Sequence, residues 1–188
     1  FVPTQNMVDM FEMADGKLID EAGSGYDPVH PFYNRDPRLK NTVIYSGLDW
    51  IGRNGVSRIF NTLDKTLPGG SSNKDYYTAA DNASHTGMLW AKYLYPNQGQ
   101  YSTSMNDDAL CPIIFRYAEI LLTKAECLVE LNQDLQEAMN IIDRLRLRGG
   151  HIAVDRSKYD TQAKVRELVR RERTIELAGE GFRFEDIV

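Results

Sequence analysis

Residues 115 to 131 read FRYAEILLTKAECLVEL, in which Ala118, Leu121, Leu122, Ala125, Leu128 and Val129 recur at i, i+3, i+4 and i+7. An α-helix places that spacing on one face, so an amphipathic helix over about 113–131 is predicted. Asn132 is a natural stop and Asp134 a cap for a second helix, where Leu135, Ala138, Ile141, Ile142 and Leu145 keep the period until Gly149-Gly150. So short a turn favours antiparallel neighbours, and Ala118, Ala125 and Ala138 let the axes approach closely. A third helix is predicted over about 161–178, with Val165, Leu168, Val169 and Ile175 as its apolar stripe.

Upstream of residue 110 the character changes. Gly, Asn, Asp, Ser and Pro recur every few residues, as in DEAGSGYDPVHPFYNRDP and LPGGSSNKD, which predicts loops. Within them, 41–48 (NTVIYSGL) and 85–94 (HTGMLWAKYL) have the β-branched and aromatic content of short strands, expected to pair as an antiparallel ribbon. Thr4 and Gly16 bracket a short predicted helix from Gln5 to Met13. The expected fold is mainly α: a tetratricopeptide-like helical layer over 110–188, with long irregular loops and a short β-ribbon over 1–109.

A chain of 188 residues buries a full core as one domain. With 42% hydrophobic and 26% charged residues it reads as globular, and no apolar run approaches the roughly eighteen residues of a bilayer span. The net charge of -5 argues against a protein whose main task is holding nucleic acid. The basic stretches 144–148 (RLRLR) and 166–173 (RELVRRER) alternate with core residues and with Asp143, Glu167 and Glu172, which fits a solvated helix face with internal ion pairs. Cys111 and Cys127 lack the spacing of a metal knuckle and read as small apolar fillers. The opening FVPTQNMVDMF is not a signal peptide, and GFRFEDIV stops within an amphipathic stretch, so the chain is expected to be part of something longer.

Acids on the helices carry the main chemical question. Glu119 and Glu126 lie two turns apart on one side of the first helix, one turn beyond Arg116, and Glu172 and Glu176 fall on or beside the stripe of the third. Buried carboxylates need partners, and Arg116, Arg170 and Arg173 are the candidates; the first and third helices are expected to pack with Arg116, Glu119 and Glu126 opposite Arg173, Glu172 and Glu176. A carboxylate-bridged dimetal centre also needs a Glu-x-x-His on each of two helices, whereas His30, His85 and His151 all fall in predicted loops. A glycosidase pair needs one acid with a raised pKa, and neighbouring arginines oppose that. No nucleophile elbow, phosphate-cradling loop or zinc-protease motif is present, so neither catalytic residues nor a metal or other cofactor are expected. An ion network that fixes the helices is the favoured reading.

Five stretches in order carry a resemblance: FVPTQNMVDMFEMADGKLI, SGYDPVHPFYNRDPRL, FRYAEILLTKAECLVELN, EAMNIIDRLRLRGG and RRERTIELAGEGFRFEDIV. They resemble the SusD/RagB family of outer-membrane nutrient-binding lipoproteins across nearly the whole chain. Asp143, Gly150 and Phe184-Glu185 depart from the family pattern, where Asn, Ala and Trp-Phe are usual. The resemblance implies a non-catalytic, surface-exposed subunit of the cell outer membrane, held by an N-terminal lipid anchor outside this chain. It also implies a SusC-like TonB-dependent transporter as partner and an oligosaccharide or polysaccharide ligand, with peptide as the alternative. Tyr26, Asn34, Arg35, Asp36 and Arg38 belong to a shared stretch and are expected to hold their loop.

Ligand contacts are expected on the loops, because a glycan needs flat aromatics to stack on and planar polar groups for its hydroxyls. Trp50, Tyr76 and Tyr77, with Arg53, Asn73 and Asp75, are the residues expected to bind it; Tyr95, Tyr101, Asp49, Asn54, Lys74 and Asn97 are further loop candidates. Trp90, in a predicted strand, is expected to pack. A helical-repeat adaptor that takes peptide or protein in a groove is the second hypothesis.

Overall fold

The computed structural model describes residues 2–51, 57–78, 83–94 and 113–187. Its elements, in chain order, are α1 (Gln5–Asp9), α2 (Arg38–Thr42), β1 (Val43–Ile44), β2 (Asp49–Ile51), β3 (Ser57–Ile59), β4 (Leu89–Trp90), α3 (Tyr117–Glu130), α4 (Leu135–Arg148), α5 (Gln162–Glu176) and α6 (Arg183–Ile187). They fall into two compact units, one of residues 1–5 and 40–112, the other of 6–39 and 113–188.

In the second unit α3, α4 and α5 pack round one core in which Leu122, Ala125, Val129, Ala138, Ile141, Ile142, Val165 and Leu168 are essentially sealed from solvent. These are the stripes predicted from periodicity. Asp134, at φ 33°, caps α4 by accepting from the Glu137 amide at 2.9 Å, and the Thr161 hydroxyl caps α5 at Lys164 N. Asn132 also lies in the left-handed region, which lets four residues turn α3 back onto α4. Helix α3 begins later than expected, because Arg116 is extended (φ −147°, ψ 165°) and directs its guanidinium at the end of α5. Helix α1 stops at Asp9 rather than Met13. The reason is competition: the Glu12 carbonyl accepts from Asp36 N at 2.8 Å and Met13 bridges Arg35, so this stretch is extended. That pairing, together with the side-chain contacts below, ties residues 6–39 to the C-terminal helices. Cys127 is exposed on α3 rather than a core filler, and Cys111 lies outside the described residues.

Gly149 ends α4 at φ −78°, a conformation open to any residue, so its smallness must serve contact. An added Cβ there sits within 2.6 Å of Arg38 Cγ and closer still to Cδ. Gly149→Ala is therefore expected to lose about 1–3 kcal/mol in urea unfolding by pushing Arg38 off its partners, despite the better helix propensity of alanine. An unchanged midpoint would mean that the Arg38 stem yields freely.

The first unit is built of short pieces. Strands β1 and β4 pair antiparallel with Val43 opposite Trp90 and Ile44 opposite Leu89, the ribbon predicted from residues 41–48 and 85–94. A second ribbon, β2 with β3, places Trp50 opposite Arg58. Ile44, Phe60 and Ala91 form a small core, against which Leu48, Trp50 and Leu89 pack half-buried. Among the described residues no helix is long and apolar enough to cross a membrane.

Candidate functional site

The buried charges of the second unit come first, because they are its densest chemistry. Glu172, fully buried, accepts from Arg38 and, at 3.0 Å, from Arg146 Nε. Arg146 reaches on to Glu12 with both terminal nitrogens, at 2.8 and 2.9 Å, and Arg171 donates to Glu12 at 2.9 Å. His151 Nε2 lies 3.1 Å from the same carboxylate and, since a carboxylate only accepts, donates to it. Arg38 also forks onto Asp36, at 2.7 Å to Oδ2 and 3.1 Å from Nε. At the far end Arg116 grips Glu176 at 2.6 Å and Glu180 at 2.8 Å, and Arg148 pairs with Glu176 as well.

This is an ion network joining α3, α4 and α5 to the 12–38 segment. Burial alone would raise the Glu12 pKa, but the His151 hydrogen bond and the Arg146 and Arg171 charges outweigh it and hold that carboxyl at about 2. Burial alone would lower the pKa of Arg38, yet Glu172 and Asp36 raise it beyond the ordinary arginine value. An acid so held is a poor proton donor, and guanidiniums inside the cluster repel a cation. Among the described residues no group of three His, Cys, Asp or Glu is placed to hold a metal ion.

Part of the expected pairing is corrected. Arg116 does meet Glu176, but Glu119 and Glu126 stay half-buried on the flank of α3 and, among the described residues, make no ion pair. Glu126 lines a shallow groove with Val129, Glu130, Arg166, Val169 and Arg170. Arg173 binds Asp186 of α6 at 2.7 Å, and Arg170 faces Glu167 in solvent. Arg38, Arg146, Arg171 and Glu12, like Asp36, Arg148, His151 and Glu180, are members that periodicity did not single out. Arg35 and Asp36 are buried, and Arg35 donates to Pro31 O, Val8 O and Phe11 O at 2.6, 2.8 and 2.8 Å, holding the loop as expected.

The loop candidates lie in the first unit. Trp50 is half-buried, one face on the Ile44–Phe60–Ala91 core, with Arg58 directly across the β2–β3 ribbon. Arg58 lies over the Phe60 ring at 5.9 Å and donates to Asp75 Oδ1 at 2.8 Å. Asn73 is buried, and its amide donates to Asn61 O and Asp64 O at 2.8 and 2.6 Å while its oxygen accepts from Asp75 N at 3.0 Å. It pins the turn that carries Asp75, Tyr76 and Tyr77. That turn forms because Leu67 N and Asn73 N bond across to Ser71 O and Lys65 O, with Gly69 and Gly70 at φ 93° and 83°. Tyr76 is half-buried; Tyr77 is 40% exposed and lies against His85, ring centroids 4.5 Å apart and the planes tilted by 42°. Trp90 is half-buried on β4.

Trp50 and the Arg58–Asp75 pair are thus joined across the β2–β3 ribbon, and the tilted Tyr77–His85 ring pair follows two residues after Asp75 in the chain. Arg53, with Asn54, Tyr95, Asn97 and Tyr101, lies outside the described residues. Arg58 and His85 were not among the expected contacts. A signal existed for the first: Asn54-Gly55 between two β-prone runs marks a hairpin whose second strand is SRI.

The sequence profile of the SusD family matches residues 1–188. Over 119 residues, 61% of this chain and 23% of the relative, the chain is 34% identical to SusD-like protein P2 of Formosa agariphila. A solved SusD-like protein of Bacteroides fragilis superposes with a TM-score of 0.77 and 28% identity, covering 99% of this chain and 35% of that one. A SusD-like carbohydrate binding protein of the same species superposes with a TM-score of 0.70 and 33% identity, covering 98% and 34%. The chain thus spans about a third of the length of those solved structures (35% and 34%) and 23% of the curated relative.

Proposed function

Because this chain belongs to the SusD family, we propose that it serves as part of a non-enzymatic glycan-capturing subunit at the cell outer membrane, held there by a lipid anchor and delivering oligosaccharide to a SusC-like TonB-dependent transporter. The observation that supports this reading is that Trp50, the Arg58–Asp75 pair and the Tyr77–His85 ring pair are each held by protein contacts in the loop-rich unit. A pyranose presents a C–H face and a rim of hydroxyls; half-exposed rings take the first, and the fixed ion pair, which retains acceptor sites on Asp75 and donors on Arg58, takes the second. Rings already in place lose little entropy on binding. Tyr76 and, from outside the described residues, Arg53 complete the set; Asn73 acts through the turn. The network of acids and guanidiniums in the helices is scaffold in this reading.

Titration calorimetry of the protein that carries this chain, against soluble α-glucan, xylan, pectic galactan and β-glucan, tests it. One of them is expected to bind saturably, and Tyr77→Ala to weaken that binding roughly five- to tenfold, the worth of one stacking ring. Trp50→Ala is expected to do the same; its melting curve must be checked, since Trp50 also packs. Silence toward every glycan with tight binding of peptides would replace this reading by RagB-like peptide uptake. Sugar release abolished by one Glu→Gln change would replace it by hydrolysis.

A further inference from the structure

A second aromatic pair stands on the other unit, in the loop 26–36. His30 and Tyr33 are stacked, ring centroids 5.1 Å apart and 23° from coplanar. Their setting is fixed from below. Two successive turns, His30 N to Asp27 O at 3.0 Å and Tyr33 N to His30 O at 3.1 Å, shape the segment, and Arg35 clamps it to the carbonyls of Val8, Phe11 and Pro31. The Arg35 guanidinium also lies 5.5 Å from the centre of the Tyr26 ring, and Ala14 N donates to Asn34 O at 2.6 Å. The imidazole is oriented in turn, since His30 Nδ1 meets Asp27 Oδ2 at 2.7 Å.

What this framework presents is open. Tyr33 is 69% exposed and Val29 beside the pair 77%, and among the described residues no protein group bonds His30 Nε2 or the Tyr33 hydroxyl. A rigid loop holding an exposed ring pair adds little to folding, because rings left in water bury little apolar area. The same rigidity suits binding: a flat apolar face, two polar edges and few rotors to freeze. We propose that His30 and Tyr33 form a second saccharide platform, on which a sugar ring stacks through its C–H face while His30 Nε2 and the Tyr33 hydroxyl bond its hydroxyls. This rests on the glycan-binding reading above and adds a subsite to it.

The test uses the glycan that binds in the calorimetric panel. Tyr33→Ala is expected to weaken it roughly five- to tenfold, or to remove one of two binding events, and Tyr33→Phe, which keeps the ring, to stay within about twofold. In NMR spectra of the protein the His30 ring resonances are expected to shift as that glycan is added. Glycan binding that Tyr77→Ala weakens but Tyr33→Ala leaves at the wild-type value, with unmoved His30 resonances, overturns the platform and leaves the proposed function standing. If no glycan of the panel binds the wild-type protein, both fall. Tyr33 lies on the surface, so a melting curve matching wild type is expected for either variant.

Discussion

Glu172→Ala is expected to destabilise the protein by about 3–5 kcal/mol, the cost of leaving buried guanidiniums without their carboxylate. Glu172 is fully buried and accepts from two arginines of different segments, Arg38 and Arg146, both buried. Removing it takes away the carboxylate that both share, while Arg38 keeps Asp36 and a 3.5 Å contact to Glu176 among its partners and Arg146 keeps Glu12. Two positive charges then face each other across a cavity that water enters poorly. The comparison is Arg170→Ala, whose exposed side chain lies 3.9 Å from an equally exposed Glu167 and whose loss is expected to cost no more than about 0.5 kcal/mol. Urea unfolding of both variants measures the difference. A Glu172 effect no larger than that of Arg170 would mean that water reaches the network, and the scaffold role assigned to it would fail.

The helices were legible because their stripes and caps are local. Ala118 to Val129 repeat on one face, Asp134 and Thr161 sit one residue before a helix, and neither signal needs knowledge of the rest of the chain. The charged residues were legible only by halves. Glu172 falls four residues after Leu168 and three before Ile175, at the middle of the α5 stripe, so its burial and its need for a partner follow from spacing. Glu119 directly follows Ala118, about 100° round the helix, which places it on the flank where solvent serves as partner. What spacing does not contain is the partner's address. Arg38 and Glu12 lie 134 residues from the groups they meet, and nothing local at PRLK or FEM announces that meeting.

The loop-rich unit was harder to read for a related reason. Its strands are two or three residues long, too short for an alternation to show, and its order comes from single side-chain bonds such as Asn73 to the Asn61 and Asp64 carbonyls. A loop aromatic therefore reads alike from sequence whether it packs, as one face of Trp50 does, or stands free, as Tyr33 does. The core of α3, α4 and α5 contains none of these loop aromatics, although its ion network takes Glu12, Asp36 and Arg38 from the 12–38 segment. Loops of that kind are free to vary with the ligand.

The same network dictates how the protein fails in acid. The Glu12 carboxyl is held at about 2 against an ordinary 4.5, because His151, Arg146 and Arg171 outweigh the opposing effect of burial. A folded-state pKa below the unfolded one means that the unfolded chain takes up the proton first, so stability present above about pH 4.5 drains away as the pH falls toward 2. A shift of that size corresponds to about 3 kcal/mol. Exposed carboxyls such as Asp27, Glu130 and Asp160 are also lowered, by His30, Arg166 and Lys164, but solvent and salt screen such pairs and their share is small. Urea unfolding at intervals between pH 7 and 2.5 is thus expected to fall steeply below 4.5 for the wild type. Glu12→Gln, which carries no titrating proton, is expected to start lower at pH 7 and to fall by about 3 kcal/mol less over the same interval, with 1 M NaCl leaving that difference in place because the carboxyl is buried. Parallel acid limbs for the two proteins would show that Glu12 does not carry the loss, and that exposed pairs, for all their number, do.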